Sequence, residues 1–428
     1  MTLILAAIGL LGLMALGAHV ATTMGLISSA IALSIDNVPI AVIAQTAFKS
    51  INSYPLMAVP MFILMGNIMM RGNIVFVLVD LIGSLVRFVR GGLALTVMLA
   101  CVFFAAISGS SVASASAIGA STVEELKKER YPANFSAALV AVGGTLGLMI
   151  PPSLGFILIG SIVGIPVDKL FIAGIVPGLF EAALLLITTY VICRKKGYGS
   201  QHAAIDVKGF FKKLPRSSGA LSMPVLIMGS IYLGLFTPTE VSAVAAGFSI
   251  ILCVFIYRSL GWRDIWGISK ESVMQSSMIF AVVLGGSLIG FVLARMGASN
   301  ALVQLMVELD MKPWQFLLLA NIVLLILGMF LDGVAMIVLT APLLFPIATQ
   351  LGINPIHFAV IMVANVEIAT LTPPIGLNLF VMSSIAKIPV ESVVKGVVPF
   401  FATRLIALGV LTYVPWLSLV LLRVSYLL

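Results

Sequence analysis

Charge is what this sequence has least of. Only 9% of its 428 residues are Asp, Glu, Lys or Arg, against 61% hydrophobic, and mean hydropathy is +1.19. A soluble domain carries about 25% charged residues. Water-soluble enzymes, nucleic-acid binders and secreted disulfide proteins are therefore excluded, and lipid must solvate most of the chain. The three cysteines, Cys101, Cys193 and Cys253, lie in apolar runs without ligand spacing, so neither a disulfide framework nor a metal site is indicated. The three histidines, His19, His202 and His357, are far apart and form no HExxH pair. There is no GxxxxGK[ST] phosphate loop, so an ion gradient rather than ATP is the expected energy source. Gly109-Ser110-Ser111 is not a GxSxG elbow, and no histidine is placed to activate a serine; no enzyme constellation is present. The formal charge of +8 reads as a bias of cytoplasmic loops toward Lys and Arg, not as a nucleic-acid surface.

What the sequence does hold is apolar runs. A bilayer core takes roughly 20 residues per helix. Full spans are expected at 3–18, 22–36, 53–71, 134–165 and 169–192, and again at 220–236, 239–257, 273–296, 356–386 and 396–422. The apolar start lacks the basic flank of a signal peptide and reads as a retained first span. Two further blocks, 92–122 and 314–348, are interrupted at mid-length by Ile107-Ser108-Gly109-Ser110-Ser111 and by Leu331-Asp332-Gly333. Each half is about 15 residues, short for a crossing, which points to re-entrant helical hairpins.

Internal repetition organises these pieces. Pro151-Pro152 recurs as Pro373-Pro374, Ile165-Pro166-Val167-Asp168 as Ile388-Pro389-Val390-Glu391, and Gly174-Ile175-Val176-Pro177 as Gly396-Val397-Val398-Pro399. Gly109 matches Gly333, and Pro132 with Phe135 matches Pro355 with Phe358; all five pairs keep their order at offsets of 222–224. The chain reads as a tandem duplication. Each copy holds five spans and one hairpin, and an odd number of spans turns the second copy upside down. This is the inverted-repeat plan of secondary transporters, with binding at the midplane. If both termini lie outside, 18 of the 24 Lys and Arg fall in cytoplasmic segments, leaving only Lys49, Lys169, Arg295, Lys312, Arg404 and Arg423. Charge bias and repeat symmetry agree on that orientation. The hydrophilic stretch 194–216 is the expected linker.

Helices broken within hydrocarbon are expected only where they line a cavity, because every backbone polar group needs a partner there. Four breaks stand out: the two hairpin tips and the two Pro-Pro segments. Around them lie Ser108, Gly109, Gly144, Thr145 and Ser153 in the first copy, and Asp332, Gly333, Thr370, Thr372, Gly376 and Asn378 in the second. Freed carbonyls and hydroxyls are hard oxygen ligands for a small cation, while helix N-termini at the same breaks favour an anion. Close helix packing and simple kinks are the competing explanation. Among ionisable residues, Asp332 at a hairpin tip is the strongest candidate for cap, cation ligand or substrate contact. Glu367, Glu181, Arg404 and Arg295 read as partners in helix packing or as snorkelling groups.

The succession ISGSS, GGTLGLMIPPS, IPVD, GIVPG, FTPTE, LDGVAM and TLTPPIGLN closely resembles the large membrane subunit of TRAP transporters, the DctM or SiaM type, over essentially the whole chain. The resemblance implies a polytopic all-α membrane protein of two inverted repeats working as an elevator in the bacterial inner membrane. It implies Na⁺-coupled uptake of an organic acid, a C4-dicarboxylate or a sugar acid such as sialic acid. Its partners would be a small four-helix membrane subunit and a periplasmic binding protein. Carried over residue by residue, it places one Na⁺ site at Ser108, Gly109, Gly144 and Thr145, and a second at Gly333, Thr370, Thr372 and Gly376. Substrate contacts fall to Ser108, Ser153 and Asp332, with Pro151, Pro152, Pro373 and Pro374 breaking the helices. The transport domain would comprise 92–193 and 314–428, and the scaffold 1–91 and 194–313. A binding-protein-independent Na⁺/dicarboxylate symporter shares this architecture, and a channel or scaffold subunit is the alternative from another class.

Overall fold

A computed structural model describes Gly9, Gly12 and residues 18–35, 38–199 and 206–425. The expected first span, 3–18, lies almost wholly outside the described residues, as does the middle of the 194–216 linker. Every regular element among the described residues is helical. Among the described residues, seven helices are long and apolar enough to cross a membrane, or eight when the bent pair Ile40–Ile51 and Pro55–Arg71 is taken as one span. Two of the seven are the arms of the second hairpin, so five of the ten full spans expected from hydropathy reach that length among the described residues. The physical reason is local: breaks divide apolar runs into helices shorter than the bilayer core. The run 356–386 becomes Pro355–Ala369 and Leu377–Ala386, and Val20–Ile35 has only 16 residues. Three helices lie outside the expected spans, Ile40–Ile51, Ile74–Val86 and Ala298–Glu308, and the expected span 396–422 is divided between Val390–Tyr413 and Pro415–Ser425. The linker is also shorter than expected, since one helix runs on to Lys196 and the next starts at Val207.

Both interrupted blocks are helical hairpins. In the first, Gly92–Ser108 and Ser111–Lys128 run back along each other, so that Arg87, just before the first arm, bonds Glu125 near the end of the second. In the second, Pro313–Phe330 and Gly333–Gln350 face each other across an apolar cavity of ≈360 Å³ lined at one end by Phe316 and Ile347 and at the other by Leu327 and Leu339. Their arms have 17 or 18 residues, longer than the expected halves. Each arm is therefore about 25–27 Å long at 1.5 Å per residue.

Following each hairpin is a helix that stops and restarts. Ala133–Met149 gives way to Leu154–Val163, and Pro355–Ala369 to Leu377–Ala386. Both Pro-Pro bonds are cis. Starting positions recur down the chain: 92 and 313, 111 and 333, 133 and 355, 154 and 377, 167 and 390. These helices form the interior. In the first broken helix, 78% of the most apolar window is buried, against 28% for the long helix Trp262–Arg295, which is therefore peripheral.

Small residues set how closely the helices approach, as lipid offers no hydrophobic drive between them. A Cβ on Gly285 would lie 2.6 Å from the carbonyl oxygen of Ala21. Gly285→Val should therefore destabilise the protein by about 1–3 kcal/mol through overpacking, read as a lower melting temperature in detergent. Across the two halves, Asn378 Nδ2 donates to Ser111 Oγ at 2.7 Å and to the Ala141 carbonyl at 2.9 Å. Asn378→Ala should cost about 1–3 kcal/mol by orphaning these acceptors. Combined with Ser111→Ala, the loss should fall short of the sum by at least about 0.5 kcal/mol.

Candidate functional site

Each hairpin tip is bonded to the broken helix that follows it. At the first tip, Gly109 adopts φ +63° and its carbonyl accepts the N–H of Leu154 at 3.2 Å. A Cβ there would lie 2.8 Å from the Pro152 carbonyl oxygen, so both conformation and space call for glycine. At the second, Ile375 donates to the Met329 carbonyl at 3.2 Å. These bonds satisfy backbone groups that the breaks set free.

Hydroxyls and caps complete the first break. Ser108 and Ser114 are joined through their hydroxyls, and Ser110 Oγ accepts from Ala113 N at 3.4 Å as the N-cap of the second arm. Ser153 is buried and caps Leu154–Val163, accepting from Phe156 N at 3.4 Å while its hydroxyl donates to the Leu148 carbonyl. Gly144 allows the broken helix to touch the hairpin, because a Cβ there would meet Ala115 N at 2.8 Å. Thr145 donates to the Val142 carbonyl at 2.8 Å and accepts from Arg404. Its hydroxyl is turned toward that arginine rather than toward the tip.

In the second break, Thr370 and Thr372 donate to the Glu367 and Ile368 carbonyls, each at 2.7 Å. The Thr370 carbonyl accepts from Asn378 N at 3.1 Å. Gly376 has φ +27° and lies against the Thr372 carbonyl. Gly333 sits over Val366, 2.5 Å from Cγ1 for an added Cβ. Asp332 is the N-cap residue of Gly333–Gln350, beside the N–H groups of Val334 and Ala335. Pro151 and Pro152 are buried, whereas Pro373 and Pro374 are exposed.

The structure brings together Ser108, Gly109, Gly144, Pro152 and Ser153 around the first break, and Gly333, Thr370, Thr372 and Gly376 around the second. The Asn378–Ser111 bond links the two breaks. Among the described residues no hydrogen bond joins Asp332 to Ser108 or Ser153. Oxygen is the donor throughout, which suits a small hard cation. Two buried oxygens, Asn378 Oδ1 and Glu367 Oε1, have no hydrogen-bond partner, so the region has capacity for a cation beyond its internal bonds. No cluster of His, Cys, Asp and Glu fit for a transition metal occurs among the described residues.

Between the breaks lies a group that hydropathy only hinted at. Arg404, 1% exposed, donates from Nη1 to Glu181 Oε2 at 2.6 Å and to Glu367 Oε2 at 3.2 Å, and from Nη2 to Thr145. Both carboxylates are at most 2% exposed. All four residues therefore sit in one dry cluster joining four helices, two of which lead into the breaks. A partial signal was available in the repeat pattern: Thr145 and Glu367 are 222 residues apart, the offset of the adjacent Pro-Pro pairs, whereas Glu181 and Arg404 are 223 apart, one more than the adjacent Pro177 and Pro399.

Comparison with known proteins follows this geometry. A family model, the DctM component of the tripartite ATP-independent periplasmic transporter, matches residues 7–417. The C4-dicarboxylate TRAP transporter large permease protein DctM of Pseudomonas aeruginosa is 37% identical over 379 residues, 89% of this chain and 88% of that protein. The sialic acid TRAP transporter large permease protein SiaM of Vibrio cholerae is 31% identical, covering 96% of both. The crystal structure of the Alcanivorax borkumensis YdaH transporter covers 90% of each chain with a TM-score of 0.62 and 15% identity, a likeness of fold alone. The family is one of transport permeases, and the match spans nearly the whole chain: this chain belongs to the DctM family of TRAP transporter large membrane subunits.

Proposed function

We propose that the chain is the large membrane subunit of a Na⁺-coupled importer of an organic acid. A periplasmic binding protein delivers the substrate, and a small four-helix subunit completes the membrane unit. The observation that carries this reading is the bonding of each hairpin tip to its own broken helix, Gly109 to Leu154 and Met329 to Ile375. Paired breaks of this kind supply carbonyls and hydroxyls for a cation and helix N-termini for a carboxylate in one place. Substrates named for the relatives, a C4-dicarboxylate and sialic acid, are both anions that such N-termini suit.

Recurrent element starts and the two cis Pro-Pro bonds support two inverted repeats of one plan, each with a re-entrant hairpin. Contacts agree with placing these segments together on one face. Arg87 with Glu125, Lys213 with Asp80, and Arg71 with Glu271 are pairs among residues assigned to the cytoplasmic face. Both termini then lie on the periplasmic side of the inner membrane. Na⁺ would be held by Ser108, Gly109, Gly144 and Thr145 and by Gly333, Thr370, Thr372 and Gly376. Ser108, Ser153 and Asp332 would meet the substrate; an acidic Asp332 suits its hydroxyl or amide groups better than its carboxylate. Sodium supplies the driving gradient, and the chain's residues hold both solutes in one moving body. That body, 92–193 and 314–428, would slide as an elevator against 1–91 and 194–313.

Uptake of radiolabelled sialic acid and succinate into proteoliposomes containing this chain and its small partner tests the proposal. Uptake should require both an inward Na⁺ gradient and the binding protein. Sodium-dependent uptake indifferent to the binding protein would replace it with the independent symporter. The elevator is tested separately at Ser53 and Ser161, whose hydroxyl oxygens lie 2.9 Å apart across the two bodies. Oxidising the Ser53→Cys/Ser161→Cys protein should abolish transport, and reduction should restore it. Full transport by the locked protein would sink the two-body mechanism.

A further inference from the structure

Between the helices Ile74–Val86 and Val207–Tyr232 lies a cavity of ≈630 Å³ that the transport reading leaves unused. Cavities of this size hold small organic ligands rather than a single ion. Six charged side chains line it: Asp80, Arg87, Glu125, Lys212, Lys213 and Arg216. Both carboxylates are already matched. Lys213 Nζ lies 2.7 Å from Asp80 Oδ1, and Arg87 bonds Glu125. Lys212 and Arg216 are exposed, and among the described residues neither side chain has an ion pair or hydrogen bond. Two positive charges are therefore left over. Arg87 keeps a further unused donor, since its Nε is buried without a hydrogen-bond partner.

The walls of the cavity are held in place. Asp206 caps the second helix by accepting from Gly209 N at 2.8 Å, and its own N–H donates to the Ser84 carbonyl at 3.1 Å. The Tyr257 hydroxyl accepts from Ala220 N at 3.2 Å and donates to the Arg216 carbonyl at 2.7 Å, bracing the turn that follows Arg216. Lys208, Lys212 and Arg216 stand at i, i+4 and i+8 on that helix and so share one face. Like charges at this spacing repel and weaken a helix, a cost that a bound anion removes.

Apolar neighbours show what that anion is attached to. Phe76 lines the cavity and is 51% exposed, while Val207 and Phe211, beside the cationic face, are 50% and 64% exposed. In a chain solvated by lipid, exposed apolar side chains next to such cations mark the boundary between headgroups and acyl chains. A ligand here must join an anionic group to an apolar one. We infer that the cavity binds the headgroup of an anionic phospholipid, whose phosphate oxygens meet Lys212 and Arg216. Two uncompensated cations match a headgroup with two phosphodiesters, as in cardiolipin. Nothing in this site depends on sodium coupling or on which leaflet it faces.

The test titrates cardiolipin into the whole chain with its small subunit, purified in a neutral detergent. Melting temperature is followed, because a ligand of the folded protein raises it. Cardiolipin should raise it with a saturable midpoint, whereas phosphatidylethanolamine or inorganic phosphate should leave it unchanged. K212Q/R216Q removes the two uncompensated charges and should raise the cardiolipin midpoint about thirtyfold, roughly fivefold for each charge. R194Q/K195Q takes the same charge from an exposed helix end that does not line the cavity. It should leave the midpoint within about twofold, since salt screens charges at a distance. Equal weakening by the two variants means diffuse surface attraction and overturns the site. An unchanged midpoint in K212Q/R216Q overturns it as well. Equal stabilisation by phosphatidylethanolamine, or by inorganic phosphate alone, overturns the assignment to an anionic lipid. Should the double variant fail to fold, R216Q alone must move the midpoint about fivefold, and a wild-type midpoint there is equally fatal.

Discussion

Everything in this fold follows from one constraint: a peptide group inside hydrocarbon must find its partner within the protein. Four interruptions violate the simple helical solution, and the chain answers with long-range backbone bonds. Leu154 reaches the Gly109 carbonyl, and Ile375 reaches that of Met329. Such a bond does more than satisfy two atoms. It ties a hairpin tip to a helix restart some forty residues away in sequence, so neither can shift without exposing a buried polar group, at roughly 1–3 kcal/mol each. Tip and break therefore behave as one piece, which is the property a moving binding site needs.

The Arg404 cluster extends the same logic from dipoles to charges. Removing one partner from a buried ion pair strands the other, at roughly 3–5 kcal/mol. Its members come from Val167–Lys196, Pro355–Ala369 and Val390–Tyr413, with Thr145 contributed by Ala133–Met149. These are the broken helices and the helices that follow them in each half. The cluster thus ties the two halves of the chain together between their broken helices.

How much of this was legible beforehand depends on how local the signal is. Gly109 and Asp332-Gly333 mark the hairpin tips because a polar or flexible residue in the middle of an apolar run has few other uses. The Pro-Pro segments mark the breaks because proline removes an N–H and crowds the preceding turn. These positions match the observed helix ends within a few residues. Hydropathy failed where length decides the outcome. A window average cannot see that 13 residues at Ile74–Val86 make a helix of their own, nor that Asn52–Tyr54 bends a span by 58°. Pairings such as Asn378 with Ser111, 267 residues apart, leave no local trace. The Arg404 cluster was readable only in part: Glu181, Glu367 and Arg404 read one by one as packing partners and Thr145 as a cation ligand, with nothing local to unite them.

The two breaks are equivalent in sequence and in backbone yet not in surroundings. Pro151 and Pro152 are enclosed by the first hairpin and the helices around it, whereas Pro373 and Pro374 are exposed. Composition does not explain the difference, since both are Pro-Pro pairs flanked by hydroxyl-bearing, glycine and apolar residues. Packing does: the first broken helix is the most enclosed of the long apolar helices, while Leu377 and Phe380, just after the second break, are among the exposed apolar side chains. In the carrier proposed above the two breaks would travel in one body, so the exposed second break would be the one that water and solute reach in this arrangement, while the first would stay shielded by its own hairpin.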